Sequence, residues 1–234
     1  VKVYTKNDIR FRDDAIIKIS PEGKILFKKS VIELLFENNI YNDANIFNRS
    51  SDPIHINDVE PVLSDSKYWY KGDVFLSINK LSSIIHYRPS TNKVIKYLTG
   101  PFYAQHDIDI ISDKEISFFN NNEKISFDMG KEFSEILIYD YESGKFKKKL
   151  NKQLNNTEFK THSQGIHEYL SDGSIMLEEQ NSGRILFYNS DEELEWEYIN
   201  KSKAGNVYFV SWASLLEDKE KISKLREIYK TKCN

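Results

Sequence analysis

Four segments of the chain share one pattern: an apolar run, a short polar turn, and a second run with a more polar outer face. They are Ala15–Val31, Ser83–Thr99, Glu135–Asn151 and Arg184–Asn200. Alternation of this kind predicts strands with one covered face, joined as hairpins. Ile16, Ile84, Ile136 and Ile185 occupy equivalent places in the four. The stretches ahead of the hairpins repeat as well. Val62-Leu63-Ser64-Asp65, Ile110-Ile111-Ser112-Asp113 and Tyr169-Leu170-Ser171-Asp172 each close a strand, and another strand follows each, at 72–79, 115–121 and 173–180. The equivalent isoleucines are 68, 52 and 49 residues apart, and four-strand repeats of roughly 40 to 50 residues mark an all-β fold, a β-propeller of antiparallel blades. The first strand of each unit is expected innermost and the fourth outermost.

Complete blades are expected at about 53–99, 102–151 and 158–200. Residues 1–31 supply the later strands of an earlier blade, and Val207–Trp212 reads as the first strand of another, at about 207–213. The partial propeller therefore spans 1–214. Beyond it Leu215, Leu216, Ile222, Leu225 and Ile228 mostly follow a spacing of three or four, which predicts a helical tail over 215–234. A short helix is expected at Val31–Phe36. The chain opens on Val1 inside a repeat and reads as a piece of a longer protein, so its compartment is left open.

Composition narrows the function classes. Aromatic residues make up 13%, with 14 Tyr and 14 Phe, which suits sheet packing. The net charge of −3 gives no reason to expect a nucleic-acid partner. Lys28-Lys29 and Lys147–Lys149 read as solvated strand ends that discourage edge pairing. The one cysteine, Cys233, permits neither an internal disulfide nor a CxxC metal site. No apolar run is long enough to span a membrane.

Chemistry points to histidines at strand mouths. His106 stands in Gly100-Pro101-Phe102-Tyr103-Ala104-Gln105-His106-Asp107, and His55 in His55-Ile56-Asn57-Asp58. Histidines arriving on successive blades can converge on one axis. Strand parity, counted back from the repeated Ser-Asp, puts His106 on the opposite face from His55 unless a bulge or bend intervenes. Asp107 is expected to be a blade or loop partner, because neighbours on a strand point to opposite faces. His162 is the repeat equivalent of His55 and is expected to satisfy backbone groups or to line the channel. His86 and His167 sit on strands and read as structural. No metal is expected, since the histidines and carboxylates lack metal-ligand spacing. No glycine-rich phosphate loop appears, so no nucleotide and no cofactor is expected. Phe102, Tyr103, Phe119 and Trp69 either stack on an aromatic ligand or pack the blades.

Several motifs together resemble the arylsulfotransferase family, the bacterial type that moves sulfuryl groups between phenols without a nucleotide donor. They are H-x-N (His55, Asn57), the run Gly72–Ser77, the strand pair Ile84–Ile95, Q-H-D (Gln105–Asp107) and F-N-N (Phe119–Asn121). Glu178 and Ser182-Gly183-Arg184 also look familial, and the similarity covers about 14–214. The resemblance implies a six-bladed propeller of which this chain is a part. It also implies an active site in the central channel, and a periplasmic or exported protein. It makes His106 the nucleophile that becomes a sulfo-histidine. His55 and Asn57 then bind sulfuryl oxygens or assist proton transfer, with Asn79, Lys80 and Gln105 as further substrate-binding candidates. Small-molecule aryl sulfate and phenol are the implied partners.

Two departures bear on activity. The family pattern S-x-R has Asn79 where arginine is expected, and Lys80 beside it is a point charge rather than a bidentate fork. No histidine precedes His55. Two readings stay open: an aryl-sulfate sulfotransferase, and a propeller that binds an anionic or aromatic ligand or a protein without turnover.

Overall fold

The computed structural model describes residues 3–6, 9–40, 51–123 and 133–232; Val1 and Cys233 lie outside the described residues. The chain divides into two compact units, Val1–Gly165 and Ile166–Asn234.

The first unit begins with two antiparallel hairpins. One joins β1 (Val3–Lys6) to β2 (Ile9–Arg12), and the other joins β3 (Ala15–Ile19) to β4 (Ile25–Ser30). Helix α1 (Val31–Glu37) follows, as the sequence predicts. Its start is fixed by two side chains. Ser30 Oγ accepts from the Glu33 amide at 3.0 Å and donates to Asp13 at 2.6 Å, and Asp13 also accepts from the Ile32 amide at 3.2 Å. Such caps supply partners for amides that the first helical turn leaves open. Val31, Leu34 and Leu35 are buried against Ile16, Ile54, Leu76 and Ile85.

Two complete blades come next. The first is β5 (Ile56–Pro61), β6 (Val74–Ile78), β7 (Ser83–Arg88) and β8 (Lys93–Thr99), hydrogen-bonded in that order. The second is β9 (His106–Ile110), β10 (Glu115–Asn120), β11 (Glu135–Asp140) and β12 (Lys145–Lys149), followed by α2 (Asn151–Asn156). Every pairing is antiparallel. The first strands of the two blades adjoin: the Ile108 amide of β9 donates to Asp58 of β5 at 2.9 Å.

Between the blades lies an aromatic core. Trp69 meets Phe75 edge-on at 5.6 Å, and Phe102 meets Phe118 at 4.9 Å. Full burial of each such ring contributes about 1.5–3 kcal/mol. A buried polar knot ties the first blade together. The Asp73 carboxylate accepts from Arg88 Nε and Nη2, both at 2.8 Å, and from the Tyr70 amide at 3.0 Å. It also lies 2.8 Å from His86 Nε2. Burial alone raises the Asp73 pKa, but Arg88, the Tyr70 amide and His86 outweigh it and hold the carboxyl below its ordinary value. His86 is thus the structural histidine its place in the third strand suggests.

The lysine runs find carboxylates at the strand edges. Lys147 reaches Glu115 at 2.6 Å, Lys148 pairs with Glu135, and Lys29 pairs with Glu37.

The second unit holds one blade: β13 (Ile166–Tyr169), β14 (Ile175–Glu179), β15 (Arg184–Tyr188) and β16 (Leu194–Ile199), again in sequential antiparallel order. Phe187 and Trp196 stack at 5.2 Å across β15 and β16. His167 is buried on β13. The expected strand at 207–213 does not form, and that stretch holds one isolated bridge, Lys201 to Val207. Its backbone is used otherwise. The Val210 amide donates to Gln180 O at 3.2 Å, Ser211 O accepts from Gln180 Nε2 at 2.7 Å, and the Ala213 amide donates to buried Glu178 at 2.6 Å. Gly183 makes room for this: a β-carbon there would stand 1.9 Å from Tyr208 O. Helix α3 (Lys219–Lys232) begins four residues later than expected. Asp218 sets the start, accepting from the amides of Glu220 at 2.9 Å and Lys221 at 3.1 Å. Among the described residues no helix is long and apolar enough to cross a membrane.

Candidate functional site

His55 precedes β5 with a left-handed backbone (φ 51°), and His106 is the first residue of β9. The pairing of β9 with β10 slips between Phe118 and Phe119, which leaves Asp107 bulged at φ 32°. An extra residue in a strand reverses its side-chain parity. β5 slips in the same way at Asn57, between Ile56 and Asp58, so strand parity carries through neither mouth, and both histidines line one cavity of about 660 Å³. The size is ordinary for a small-molecule pocket. Asn79, Lys80, Tyr103 and His162 line it too.

Asn57 and Gln105 stand behind this wall rather than on it. Asn57 Nδ2 donates to Gln105 O at 2.8 Å. Gln105 is fully buried, and its Nε2 donates to Ser77 Oγ at 3.1 Å, Ile78 O at 3.2 Å and Ser83 O at 2.8 Å. Both side chains stitch the two blades together beside the histidines. Asn79 reaches Ala104 O at 3.4 Å, a long contact that leaves its amide loosely held. Of the four aromatic candidates, Trp69, Phe102 and Phe119 are core, and Tyr103 is 41% exposed on the cavity.

His106 is held from both sides. Its Nδ1 lies 2.7 Å from Asn121 Oδ1 and 3.1 Å from Ala104 O. Its Nε2 accepts from the Gln164 amide at 3.0 Å. Burial lowers its pKa below the ordinary histidine value. The bonds to Asn121 and Ala104 oppose that shift, and the charge of nearby His55 adds to it. The ring is therefore neutral at pH 7, with a lone pair on Nε2. Asp107 acts on it by charge alone among these causes, favouring the protonated ring.

His55 rests on a different partner: its Nδ1 lies 2.6 Å from Asp52 Oδ2, which also accepts from Arg12 Nη2 at 2.7 Å. A carboxylate on Nδ1 leaves Nε2 for proton transfer. His162 Nδ1 lies 3.3 Å from Glu123, and both are exposed at the rim.

The Gln164 amide arrives on a segment expected to open the third blade, yet residues 158–165 belong to the first unit. Gly165 packs on Phe119 so closely that a β-carbon would stand 2.6 Å from the ring. Sequence reasoning missed this segment, along with Asp52 and Asn121. Only Asn121 left a signal, as the middle of the F-N-N element.

Residues 2–201 match the model of the family described as arylsulfotransferase (ASST). The chain belongs to that family. No curated protein matches it in sequence. Among solved structures, the Dos1 propeller aligns with 78% of the chain and 42% of its own length, at 10% identity and TM-score 0.46. The WD40 propeller domain of Doa1 aligns with 61% and 40%, at 14% and 0.41. Virginiamycin B lyase from Staphylococcus aureus aligns with 62% and 45%, at 16% and 0.37. The chain spans less than half the length of these structures. The cavity is lined by His55 and His106, and also by Asn79, which stands at the arginine position of the S-x-R pattern, and by Lys80, which follows it.

Proposed function

We propose that the complete protein transfers a sulfuryl group from an aryl sulfate to a phenolic acceptor through a sulfo-histidine on His106. The observation that carries this reading is the seating of His106, with Nδ1 against Asn121 Oδ1 and Nε2 accepting from the Gln164 amide, in the wall of a cavity shared with His55. In the first step Nε2 forms a bond to sulfur as the ester S–O bond breaks, and the electron pair leaves on the phenolic oxygen. In the second step the acceptor oxygen attacks sulfur, the N–S bond breaks, and the acceptor's proton passes to His55 Nε2. Charge on the sulfuryl oxygens needs donors. Lys80 and the Asn79 amide line the cavity, and the Gln164 N–H loses its acceptor once Nε2 is bonded to sulfur. That amide then faces a sulfuryl oxygen in place of the nitrogen it held.

The second reading, binding without turnover, is favoured by two observations: Asn79 in place of arginine, and a Gln164 amide seated on the nucleophile's lone pair. Aryl sulfate and phenol given to the full-length protein separate the two. Transfer with ping-pong kinetics, abolished in His106→Ala and slowed about 10²–10⁴-fold in His55→Ala, supports the enzyme. Binding of aryl sulfate without transfer, unchanged in Asn79→Arg, supports the binding module.

A further inference from the structure

We infer that Asn121 is the positioning residue that sets the tautomer of His106 and so directs the sulfuryl group to Nε2. This rests on the reading of His106 as sulfuryl acceptor. Asn121 follows β10, on the F-N-N element to which the site assigned no role, and is 1% exposed. Its amide orientation is determined by its surroundings. Nδ2 donates to Thr161 O at 3.0 Å and to Gln164 O at 2.6 Å. A flipped amide would set an oxygen against two carbonyl oxygens, so Oδ1 must face His106. At 2.7 Å it can only accept, and Nδ1 must carry the proton. The other end of the ring agrees, because Nε2 accepts from the Gln164 N–H and so has no proton. The same side chain also holds the segment bearing Gln164 through its two carbonyls.

An amide suits this place better than a carboxylate would. As Nε2 bonds to sulfur, no proton leaves His106, and the ring becomes a sulfo-imidazolium with its Nδ1–H against Asn121 Oδ1. A carboxylate would stabilise that cation strongly and slow its release of the sulfuryl group. It would also raise the pKa of the free ring and leave less of it neutral. A neutral acceptor fixes the tautomer without either effect.

The test is long-range ¹H–¹⁵N correlation on full-length protein with ¹⁵N-labelled histidine, which reads the tautomer of His106 without turnover. Wild type is expected to show Nδ1 protonated and Nε2 bare. Asn121→Leu is expected to shift the tautomer ratio toward Nε2–H by about five- to tenfold, the scale of one buried hydrogen bond. Asn121→Asp is expected to keep Nδ1–H and to raise the pH at which His106 titrates. An Nε2–H tautomer in wild type overturns the inference. So does an unchanged ratio in folded Asn121→Leu, which would assign the role to Ala104 O. If Asn121→Leu does not fold, wild type and Asn121→Asp decide. Treatment of wild type with 4-nitrophenyl sulfate keeps the two readings apart: the expected tautomer without a sulfo-histidine sinks the sulfotransferase and leaves the positioning role standing.

Discussion

Replacing Glu60 with glutamine should stabilise the protein, but only on the alkaline side. Glu60 shares a face of β5 with Asp58, and Asp107 and Asp109 stand on the adjoining β9. Burial, and then the charges of Asp109, Asp58 and Asp107, push its pKa from 4.5 up to about 7. A carboxyl whose folded pKa exceeds its unfolded one costs nothing below the unfolded value. Its ionisation weakens the fold progressively as pH rises toward the folded value. Fully expressed, the shift corresponds to roughly 3 kcal/mol. Solvent reaches this half-buried group, and screening reduces the effect to about 1–2 kcal/mol. Glutamine copies the protonated state. Urea unfolding at about pH 4 and about pH 8 measures the difference. Glu60→Gln and wild type should agree within about 0.5 kcal/mol in acid, and the variant should be more stable by about 1–2 kcal/mol in base. The same offset at both pH values, or a less stable variant in base, would refute the argument, since only ionisation of Glu60 gives an effect with that pH dependence.

Three further outcomes are expected. Asp73→Asn should cost about 3–5 kcal/mol in urea unfolding, because it strips the partner from the Arg88 guanidinium and from His86; a cost under about 1 kcal/mol would show the knot to be incidental. Gly165→Ala should destabilise by about 1–3 kcal/mol through overlap with Phe119. It should also speed hydrogen exchange of the Gln164 amide, and an unmoved exchange rate would disconnect Gly165 from His106. Formation of sulfo-His106 requires a neutral ring whose pKa burial has lowered. Its rate should hold constant as pH falls past the ordinary histidine value of about 6.5 and drop only below it; a single-turnover profile that falls at or above that value would contradict the assignment.

The blades were legible because their determinants are local and repeated. Alternation marks each strand, the Ser-Asp turns mark the first connections, and β11 and β15 carry apolar runs of four residues, Ile136–Tyr139 and Ile185–Tyr188. The cavity was only half legible. A β-bulge is one residue, here Asp107, and its left-handed backbone has no glycine or asparagine to announce it. The pairing of β5 with β6 skips Asn57 in the same way, so parity counting carries through neither strand mouth. The Gln164 amide was illegible for a different reason: a backbone donor has no side-chain identity to read. The strand expected at 207–213 had the right apolar pattern. The sequence held no sign that the buried Glu178 and Gln180 side chains would claim that backbone instead.

The family motifs divide between lining and support, and this separates ancestry from activity. In H-x-N, His55 faces the cavity while Asn57 binds the backbone of Gln105. In Q-H, His106 faces the cavity while Gln105 binds Ser77, Ile78 and Ser83 across to the first blade. In F-N-N, Asn121 holds His106 from behind. These residues together keep two histidines at fixed places on adjoining inner strands, and all of them are present. The missing arginine belongs to no part of that support. Asn79 stands on the cavity wall at the end of β6, and its side chain meets the support only through the long contact to Ala104 O at 3.4 Å. A chain can therefore match its family through the supporting residues while the lining residues vary. On the proposed reading, sulfuryl transfer by this one turns on whether Lys80, Asn79 and a backbone amide together supply what a guanidinium would.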